Sequence, residues 1–342
     1  MTDLMDDLTG DLMDEMVEAR LAWTSPLLTT WYAEADLRRQ LRSGLAVEVE
    51  RLGDATFGGD FRTGVGIGGP EDPLDWANRR LDLPGGGWAV TGIRFRGGDA
   101  VRPFVDVVAT TAPPTPDGLA AVADVVVPAY EGFSPLCLRA DVPDTPALVE
   151  ELGADPRFGP HCTVDMHVVA GLVDRLRTYP RTAAYPDVLL RAGDPEALAR
   201  RVAEIYAELA ATEPGLAMWA NPEDLESLSE CAEEGLLFEV LAEGEPAGVV
   251  AGLRYDAHAL TGFSVQELCL DAAHRGHRLA PATVQRLVDE LPAGPGDALW
   301  GTIHPANVPS LRNALSIGRT LVGGYVWVTP AGLPGMPGTT AG

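Results

Sequence analysis

Lysine is absent from this 342-residue chain, so all 25 of its basic residues are arginine. Lysine forms Schiff bases with carbonyl substrates and acts as a general base when its pKa is lowered. Both kinds of lysine chemistry are therefore excluded. Cysteine is also scarce, and its four positions show no C-x-x-C spacing: Cys137, Cys162, Cys231 and Cys269. The sequence thus predicts buried thiols rather than a disulfide framework or a structural zinc site.

Long apolar runs and a positive charge balance are missing as well. No 18 consecutive apolar residues occur, and the acidic first twenty residues lack the basic and apolar segments of a signal peptide. We therefore expect a soluble, cytoplasmic protein that does not enter membranes.

The charge balance is strongly negative. The chain has 25 arginines against 50 acidic residues, and the formal net charge of −25 would repel nucleic acid. Enrichment in arginine, alanine, glycine and proline is typical of GC-rich codon usage and indicates a bacterial source.

The chain is long enough for two globular domains. The first half alternates between strand and helix signals, which predicts an N-terminal α/β domain over residues 1–180. Prolines within residues 179–186 predict an interdomain connection, and the glycine-rich residues 330–342 predict a flexible tail. The patterns predict helices at 4–22, 30–42 and 117–123, strands at 88–96, 103–110, 136–140 and 163–169, and irregular chain at 53–87.

Residues 187–329 show a more regular succession of elements. The predicted order is strand, two helices, three strands, helix, strand, helix and a closing pair of strands, which is a mixed α/β (α+β) arrangement. The last two strands are separated by Gly323-Gly324. The predicted strands lie at 188–191, 236–242, 247–255, 263–270, 298–303 and 321–328, and the helices at 195–211, 222–234, 279–291 and 308–317.

One turn in this second half has the features of an anion site. A strand ends at Leu270, a turn rich in arginine and histidine follows, and a helix then begins near Leu279. The first N–H groups of a helix have no partner within the helix, and its dipole favours negative charge, so flanking arginines make this a site for a phosphate. Residues 263–329 contain five arginines and five acidic residues, and this local neutrality suits either a small phosphorylated ligand or a solvated helix surface of mixed charge.

This turn and the order of elements resemble the GNAT superfamily of N-acyltransferases, whose pyrophosphate loop reads Q/R-x-x-G-x-G/A. Arg275 matches the first position and Ala280 the sixth, while Arg278 stands where the family usually has glycine. The resemblance implies a GNAT fold for residues 187–329 and binding of acetyl-CoA or another acyl-CoA. The loop residues that would bind it are Arg275, Gly276, His277, Arg278, Leu279 and Ala280.

A second GNAT signature follows downstream. The segment HPANVPSLRNALSIGR resembles N-x-x-A/S-x-x-L-Y-x-x-x-G-F, and Asn307, Ser310 and Gly318 fit it. In the family the corresponding helix lies beside the pantetheine arm of the cofactor, which implies that Asn307 and Ser310 contact that arm. Ala314 stands where the family often has a tyrosine that protonates the departing thiolate, and Arg319 replaces the family's aromatic residue.

The resemblance implies direct attack of a small-molecule amine on the thioester. The oxyanion donor would be a backbone N–H after a strand bulge, near Cys269 or Leu270. Glu267 is the first candidate for the base, acting directly or through water, although it could instead face solvent or form a structural salt bridge. His304 is the second candidate, and it could instead cap the next helix. Ser310 or water could assist the leaving thiolate, which is a tolerable leaving group.

Several alternatives remain open at this stage. The donor could be another carrier, either an acyl carrier protein or aminoacyl-tRNA, or the protein could be a non-catalytic acyl-CoA sensor. The N-terminal half is interpreted as an additional α/β domain, with a degenerate GNAT-like repeat as a hypothesis, and the whole protein as a monomer or homodimer. The G-x-G-x-x-G match at residues 64–69 is followed by Pro70, which argues against a dinucleotide site.

Overall fold

The computed structural model describes residues 2–181, 186–217, 219 and 221–338, with the side chains of residues 2–9 and 217 left out. The chain forms two compact units. Unit 1 comprises residues up to 167 together with the chain from 322 onward, and unit 2 comprises residues 168–321. These limits differ from the predicted boundary at residues 179–186, of which 182–185 lie outside the described residues, and from the predicted domain end at residue 329.

The elements are numbered along the chain. The helices are α1 Thr2–Ala22, α2 Glu34–Glu50, α3 Ala55–Val65, α4 Pro116–Ala129, α5 Thr145–Ala154, α6 Val173–Thr178, α7 Pro195–Thr212, α8 Pro214–Ala217, α9 Leu225–Glu233, α10 Leu279–Glu290 and α11 Val308–Ser316. The strands are β1 Arg79–Leu83, β2 Gly87–Phe95, β3 Pro103–Thr110, β4 Leu138–Val142, β5 Thr163–Leu172, β6 Val188–Ala192, β7 Leu237–Ala242, β8 Glu245–Arg254, β9 Gly262–Leu270, β10 Ala298–Ile303 and β11 Thr320–Val328.

Unit 1 is a mixed sheet with helices packed on it. Its strands run in the order β1-β2-β3-β4-β11, in which only the β3–β4 pair is parallel. Helix α4 connects these two parallel strands, as such a pair requires. Its apolar side, with Leu119 and Val126, is buried in a core that also contains Ile93, Val105 and Leu138.

Unit 2 has a mixed sheet in the order β10-β9-β8-β7-β6, in which β9 and β10 are parallel and the other pairs antiparallel. Helix α10 connects the parallel pair. Its buried face, with Val284, Leu287 and Val288, packs with Phe263 and Leu299 of the two strands. The mixed α/β class predicted from the sequence is confirmed.

The two units share an order of elements. In each, three successive antiparallel strands lead into a crossover helix, a parallel strand and a further helix: β1-β2-β3-α4-β4-α5 in unit 1 and β7-β8-β9-α10-β10-α11 in unit 2. In each, the register of the last antiparallel pair shifts at a bulge. This common order agrees with the hypothesis of a degenerate repeat. The start of α4, however, is capped by the Thr115 hydroxyl, which accepts from the Gly118 N–H at 3.3 Å, and the basic side chain beside it, Arg157, is paired with Asp117 of its first turn at 2.6 Å.

Several predicted elements were wrong in extent or type. Residues 53–87, predicted to be irregular, contain α3 and β1. Helix α3 forms because the Asp54 side chain accepts from the N–H groups of Thr56 and Phe57, and it ends at Gly66 in a left-handed conformation. Helix α9 begins behind Asp224, which caps the Ser227 N–H at 2.9 Å, and not behind Asn221 as predicted. The helix predicted at 30–42 spans Glu34–Glu50.

Gly323 and Gly324 do not separate two strands as predicted, because β11 is continuous through them. Both have positive φ, 140° and 147°. A Cβ at Gly324 would lie 2.1 Å from the Met166 carbonyl oxygen, and one at Gly323 would lie 2.8 Å from that of Val142. These glycines are therefore needed for close approach of neighbouring backbone, which a sequence pattern cannot distinguish from a turn.

The flexible-tail prediction is wrong for residues 330–338. Pro330 forms a bridge with Phe158, and the Gly335 N–H donates to the Leu136 carbonyl at 2.9 Å. Met336 is buried in a cluster with Phe104 and Trp327. These contacts hold the segment on unit 1, while residues 339–342 lie outside the described residues. Within the part of the chain that is described, no helix combines the length and the apolar character needed to cross a bilayer.

Candidate active site

The parallel strands β9 and β10 are paired over only a third of the length of β9. The register joins residues 262–264 to residues 298–300, whereas β9 continues to Leu270 and β10 to Ile303. The strands therefore part toward their carboxyl ends. Ligands of open α/β sheets bind at this end of parallel strands, so the parting marks a candidate site.

A bulge in β9 accompanies the parting. Ala251 of β8 pairs with Glu267 and Gly252 pairs with Val265, which leaves Gln266 as the extra residue. Cys269 and Leu270, the two predicted oxyanion donors, follow this bulge. A bulge re-aims the residues that follow it, because the strand bends and its twist increases.

The register after the bulge separates the two predicted oxyanion donors. Cys269 pairs with Val249, and the N–H of Asp271 donates to the Ala247 carbonyl of β8 at 3.0 Å. Because successive N–H groups of a strand point to opposite sides, Leu270 directs its N–H away from β8. Of the two predicted oxyanion donors, Leu270 is thus the one whose N–H points toward the gap between β9 and β10.

The turn after β9 presents the start of α10 to solvent. The Arg275 Nε donates to the Leu270 carbonyl at 3.0 Å, which folds this side chain back over the strand end. Gly276 has φ 79° and Arg278 has φ 61°. Arg278 is the N-cap residue of α10 and makes no side-chain cap hydrogen bond. The first N–H groups of α10 therefore lack a capping side chain, which is the local condition for binding an anion.

The left-handed conformation of Arg278 is one that glycine, the usual residue at this position of the GNAT signature, adopts without steric cost. An L-residue in this region of φ/ψ space incurs a steric penalty of roughly 1–2 kcal/mol, and glycine does not. The Arg278 side chain, like Gly276 and His277, is exposed. Leu279 is buried in the core of unit 2, so only its backbone faces the turn.

Helix α11 begins beside this turn and is capped by a predicted site residue. The Asn307 Oδ1 accepts from the Ser310 N–H at 3.2 Å, and Pro309 lies in the first turn of the helix. Ala314 is fully buried against Val169 and Ile303, on the side of α11 that packs in unit 2. The absent tyrosine of the family signature therefore corresponds to a core position here.

A pocket in unit 2 joins these elements. Six of its lining residues were predicted from the two signatures: Cys269, Leu270, Arg275, Ala280, Asn307 and Ser310. The others were not predicted: Ile205, Tyr206, Leu209, Leu216, Leu268, Pro309 and Asn313. The pocket thus lies where the end of β9, the turn before α10 and the start of α11 meet, and α7 forms its opposite wall.

Glu267 lies beneath this wall with only 2 % of its surface exposed. Three donors contact its carboxylate: the Tyr206 hydroxyl at 3.0 Å, the Glu223 N–H at 3.1 Å and the Leu268 N–H at 2.9 Å. Burial raises the pKa of Glu267 to about 7, and these three hydrogen bonds limit the rise. A carboxyl group with a pKa near neutrality exchanges protons readily at physiological pH, which is the property of a general base.

His304 stands at the end of β10 and is also buried. Its Nδ1 accepts from the Ala306 N–H at 3.1 Å, and its ring stacks on Trp219 at a centroid distance of 3.7 Å and an angle of 5°. The structural alternative considered for this histidine, which is to cap the next helix, is not realised, because Ala306 precedes α11 and the helix is capped by Asn307. Its role as a base stays a prediction.

Two polar pocket residues were missed by sequence reasoning. Tyr206 comes from α7, which showed only an amphipathic pattern. Asn313 stands where the second GNAT signature has leucine, so the signature directed attention away from it. Asn313 is 8 % exposed, and its Oδ1 has no hydrogen bond to the described residues. A buried acceptor of this kind is costly unless a ligand or water satisfies it.

The cysteine of the pocket is unsuited to be a nucleophile. Burial raises the pKa of the Cys269 thiol, and the nearby Glu267 carboxylate raises it further. The thiol therefore stays protonated, while the reactive form of cysteine is the thiolate. All four cysteines are free and buried. Among the described residues, no group of three His, Cys, Asp or Glu side chains is placed to hold a metal ion.

Comparison with known proteins gives similarity in structure but not in sequence. No protein-family profile matches the chain, and no curated protein matches it. A GCN5-related N-acetyltransferase from Sphaerobacter thermophilus is similar over 74% of this chain and 79% of its own, with 16% identity and a TM-score of 0.47. A GNAT-family acetyltransferase from Colwellia psychrerythraea matches over 71% and 81%, with 9% identity and a TM-score of 0.42.

A third solved structure, a GCN5-related N-acetyltransferase from Kribbella flavida, matches over 81% of this chain and 95% of its own, with 14% identity and a TM-score of 0.39. The solved structures to which this chain is similar thus include GNAT acetyltransferases, the superfamily that its two signatures resemble.

The conformation of Arg278 leads to a prediction on stability. Arg278→Gly should raise the free energy of unfolding by about 1 kcal/mol, since glycine adopts the left-handed conformation without steric cost. Arg286→Gly, further along the same helix, is the matched control and should lower it by about 1 kcal/mol. Urea unfolding of both variants measures this. Destabilisation by Arg278→Gly would contradict the backbone argument.

Proposed function

We propose that this protein is an acyl-CoA-dependent N-acyltransferase that transfers an acyl group, acetyl in the simplest case, to the amine of a small molecule. The observation that carries the proposal is the pocket itself. It joins the uncapped start of α10, the parted end of β9 and the start of α11, beside a buried carboxyl group whose pKa is near 7.

The residues of the pocket suit each part of an acyl-CoA molecule. The pyrophosphate would lie at the N–H groups of residues 276–280, where the helix dipole and Arg275 favour negative charge. The pantetheine arm contains amide N–H donors, and Asn313 offers a buried acceptor that the described residues leave without a partner. Asn307 and Ser310 line the same side of the pocket. The pocket thus offers N–H donors where the pyrophosphate would lie, and a hydrogen-bond acceptor and apolar surface where the pantetheine arm would lie.

Groups in and beside the pocket suit each step of acyl transfer to an amine. A neutral amine attacks the thioester carbonyl, and the Leu270 N–H, directed toward the parting, is the candidate to stabilise the oxyanion. Glu267 is the base that accepts the amine proton. Direct transfer is favoured over a cysteine-bound intermediate, because the Cys269 thiol is held protonated by burial.

The acceptor is a cationic or potentially cationic amine on electrostatic grounds. The chain has a formal net charge of −25, and Glu213 and Glu223 lie on the segment that leads from α7 to α9 over this region. A negative field raises the local concentration of amines and disfavours acidic acceptors. Of the three carriers considered, aminoacyl-tRNA fits this field least, since phosphate backbones require a basic surface.

The first prediction of this proposal concerns binding. CoA and acetyl-CoA should raise the melting temperature, because a ligand that binds only the folded protein stabilises it. Arg275→Ala should weaken CoA binding about 10-fold or more, as expected for loss of a charge-assisted phosphate contact. Arg286→Ala, at a half-buried arginine further along α10 that pairs with Asp289, is the control and should leave binding unchanged. Thermal shift and calorimetry measure both.

The outcome separates the proposal from its alternatives. Acetyl-CoA that is bound but not turned over with any of a set of primary amines would favour an acyl-CoA sensor. Absence of CoA binding by the unmodified protein would contradict the proposal and favour another carrier.

A second prediction concerns Asn313. Asn313→Leu should stabilise the free protein by about 1 kcal/mol or more, since it removes a buried acceptor without a partner. It should also weaken CoA binding about 5- to 10-fold, as expected for one lost hydrogen bond, while ADP, which lacks the pantetheine arm, should bind as before. Calorimetric titration with both ligands is the measurement. Unchanged CoA affinity would show that Asn313 does not contact the arm.

A further inference from the structure

A side chain that lines the pocket also hydrogen-bonds Glu267. Tyr206 lines the pocket, whereas Glu267 is not among the described residues that line it. Both carboxylate oxygens of Glu267 already accept hydrogen bonds, Oε1 from the Tyr206 hydroxyl and the Leu268 N–H and Oε2 from the Glu223 N–H. The Tyr206 side chain therefore connects the pocket to the Glu267 carboxylate.

The Tyr206 hydroxyl can donate a hydrogen bond to Glu267 and accept one from a ligand at the same time. A phenol has one proton to donate and oxygen lone pairs that accept. Here the proton is donated to Glu267 Oε1 at 3.0 Å, so the lone pairs are left for a donor on the pocket side. An amine N–H is such a donor.

The fold holds the tyrosine ring in place. Helix α7 is capped by Asp194, whose side chain accepts from the Ala197 N–H at 2.9 Å. Ile205, next to Tyr206 in sequence, is buried with Leu228 and Leu237, and the Tyr206 ring packs on the same cluster. A hydroxyl on a fixed ring is suited to proton transfer, which depends on constant geometry.

We propose that Tyr206 is a catalytic residue that relays the proton between the amine in the pocket and the Glu267 carboxylate. This inference rests on the proposed function. As the amine nitrogen bonds to the thioester carbon, its proton passes to the Tyr206 oxygen while the Tyr206 proton passes to Glu267. The carbon–sulfur bond then breaks, the proton held by Tyr206 passes to the departing thiolate, and Glu267 returns its proton to the Tyr206 oxygen. The products are an amide and a free thiol, and both residues end in their starting states.

The relay accounts for a departure from the family signature. At position 314, where the family often has the tyrosine that protonates the thiolate, this chain has an alanine buried in the core. A tyrosine from α7 reaches the pocket instead, from the other wall. One phenol thus serves both the acceptance and the return of the proton.

The test compares single and double variants in acetyl-CoA turnover. Thiol release is followed with whichever primary amine, among polyamines, amino sugars and amino acids, is turned over fastest. For the unmodified protein, kcat/KM calculated on the concentration of the neutral amine should rise with pH through an apparent pKa near 7 as Glu267 loses its proton. The titratable groups that face Glu267 are Tyr206 of α7, Glu223 before α9 and Cys269 of β9.

Y206F should lower kcat about 100-fold or more at every pH, the usual contribution of acid–base catalysis, and leave CoA affinity within about twofold. E267Q should abolish the rise near pH 7. The double variant should be no slower than the slower single variant, since residues that act as a unit are not additive. Y179F, on an exposed tyrosine of the same unit, is the control and should retain full activity.

A positioning role for Tyr206 gives a different result. Without its hydrogen bond, which lowers the pKa of Glu267, the rise in rate would move to higher pH while the plateau rate stayed unchanged, and this would overturn the relay. Equal activity of Y206F and the unmodified protein would also overturn it. If the unmodified protein binds CoA but turns over no amine, the relay and the acyltransferase proposal both fail, whereas an active protein with an unaffected Y206F removes the relay alone.

Discussion

The parting of β9 from β10 is the constraint on which the rest of the site depends. Parallel pairing ends at Ser264 and Trp300, and the bulge at Gln266 turns the remaining strand so that Leu270 directs its N–H away from β8. Buried backbone groups that lose a ladder partner must find another, and an unmet one costs on the order of 1–3 kcal/mol. A gap of this kind is therefore stable when a ligand with its own amides occupies it. The fold gives up strand pairing here and leaves a cleft between the ends of the two strands.

Burial of Glu267 and Cys269 below the cleft shifts the pKa of both side chains. Glu267 is enclosed by α7, by the segment before α9 and by its own strand, and desolvation moves its pKa to about 7. The three donors around it keep the charged form accessible. The same burial has the opposite consequence for Cys269, whose thiol it holds protonated. One apolar environment thus makes a carboxyl group responsive near neutral pH and makes a neighbouring thiol inert.

Sequence reasoning reached the parts of the site that lie close together along the chain. Arg275, Ala280, Asn307 and Ser310 were found because a turn, a cap and a helix start have local residue requirements, and all four line the pocket. Tyr206 was missed because it meets Glu267 across 61 residues, and an amphipathic helix pattern does not say which polar residue faces a cleft.

The same limit applies to the fold. The order of elements in unit 2 could be predicted from local periodicity, whereas the membership of β11 in unit 1 depends on its pairing with β4, which no local pattern encodes. Unit 1 repeats the strand order of unit 2, yet Thr115 caps its crossover helix where unit 2 leaves the helix start open at Arg278. A crystal structure of the protein with CoA tests the account most directly. It should show the pyrophosphate at the start of α10 and the thiol end between β9 and β10, and CoA bound elsewhere, with this cleft empty, would contradict it.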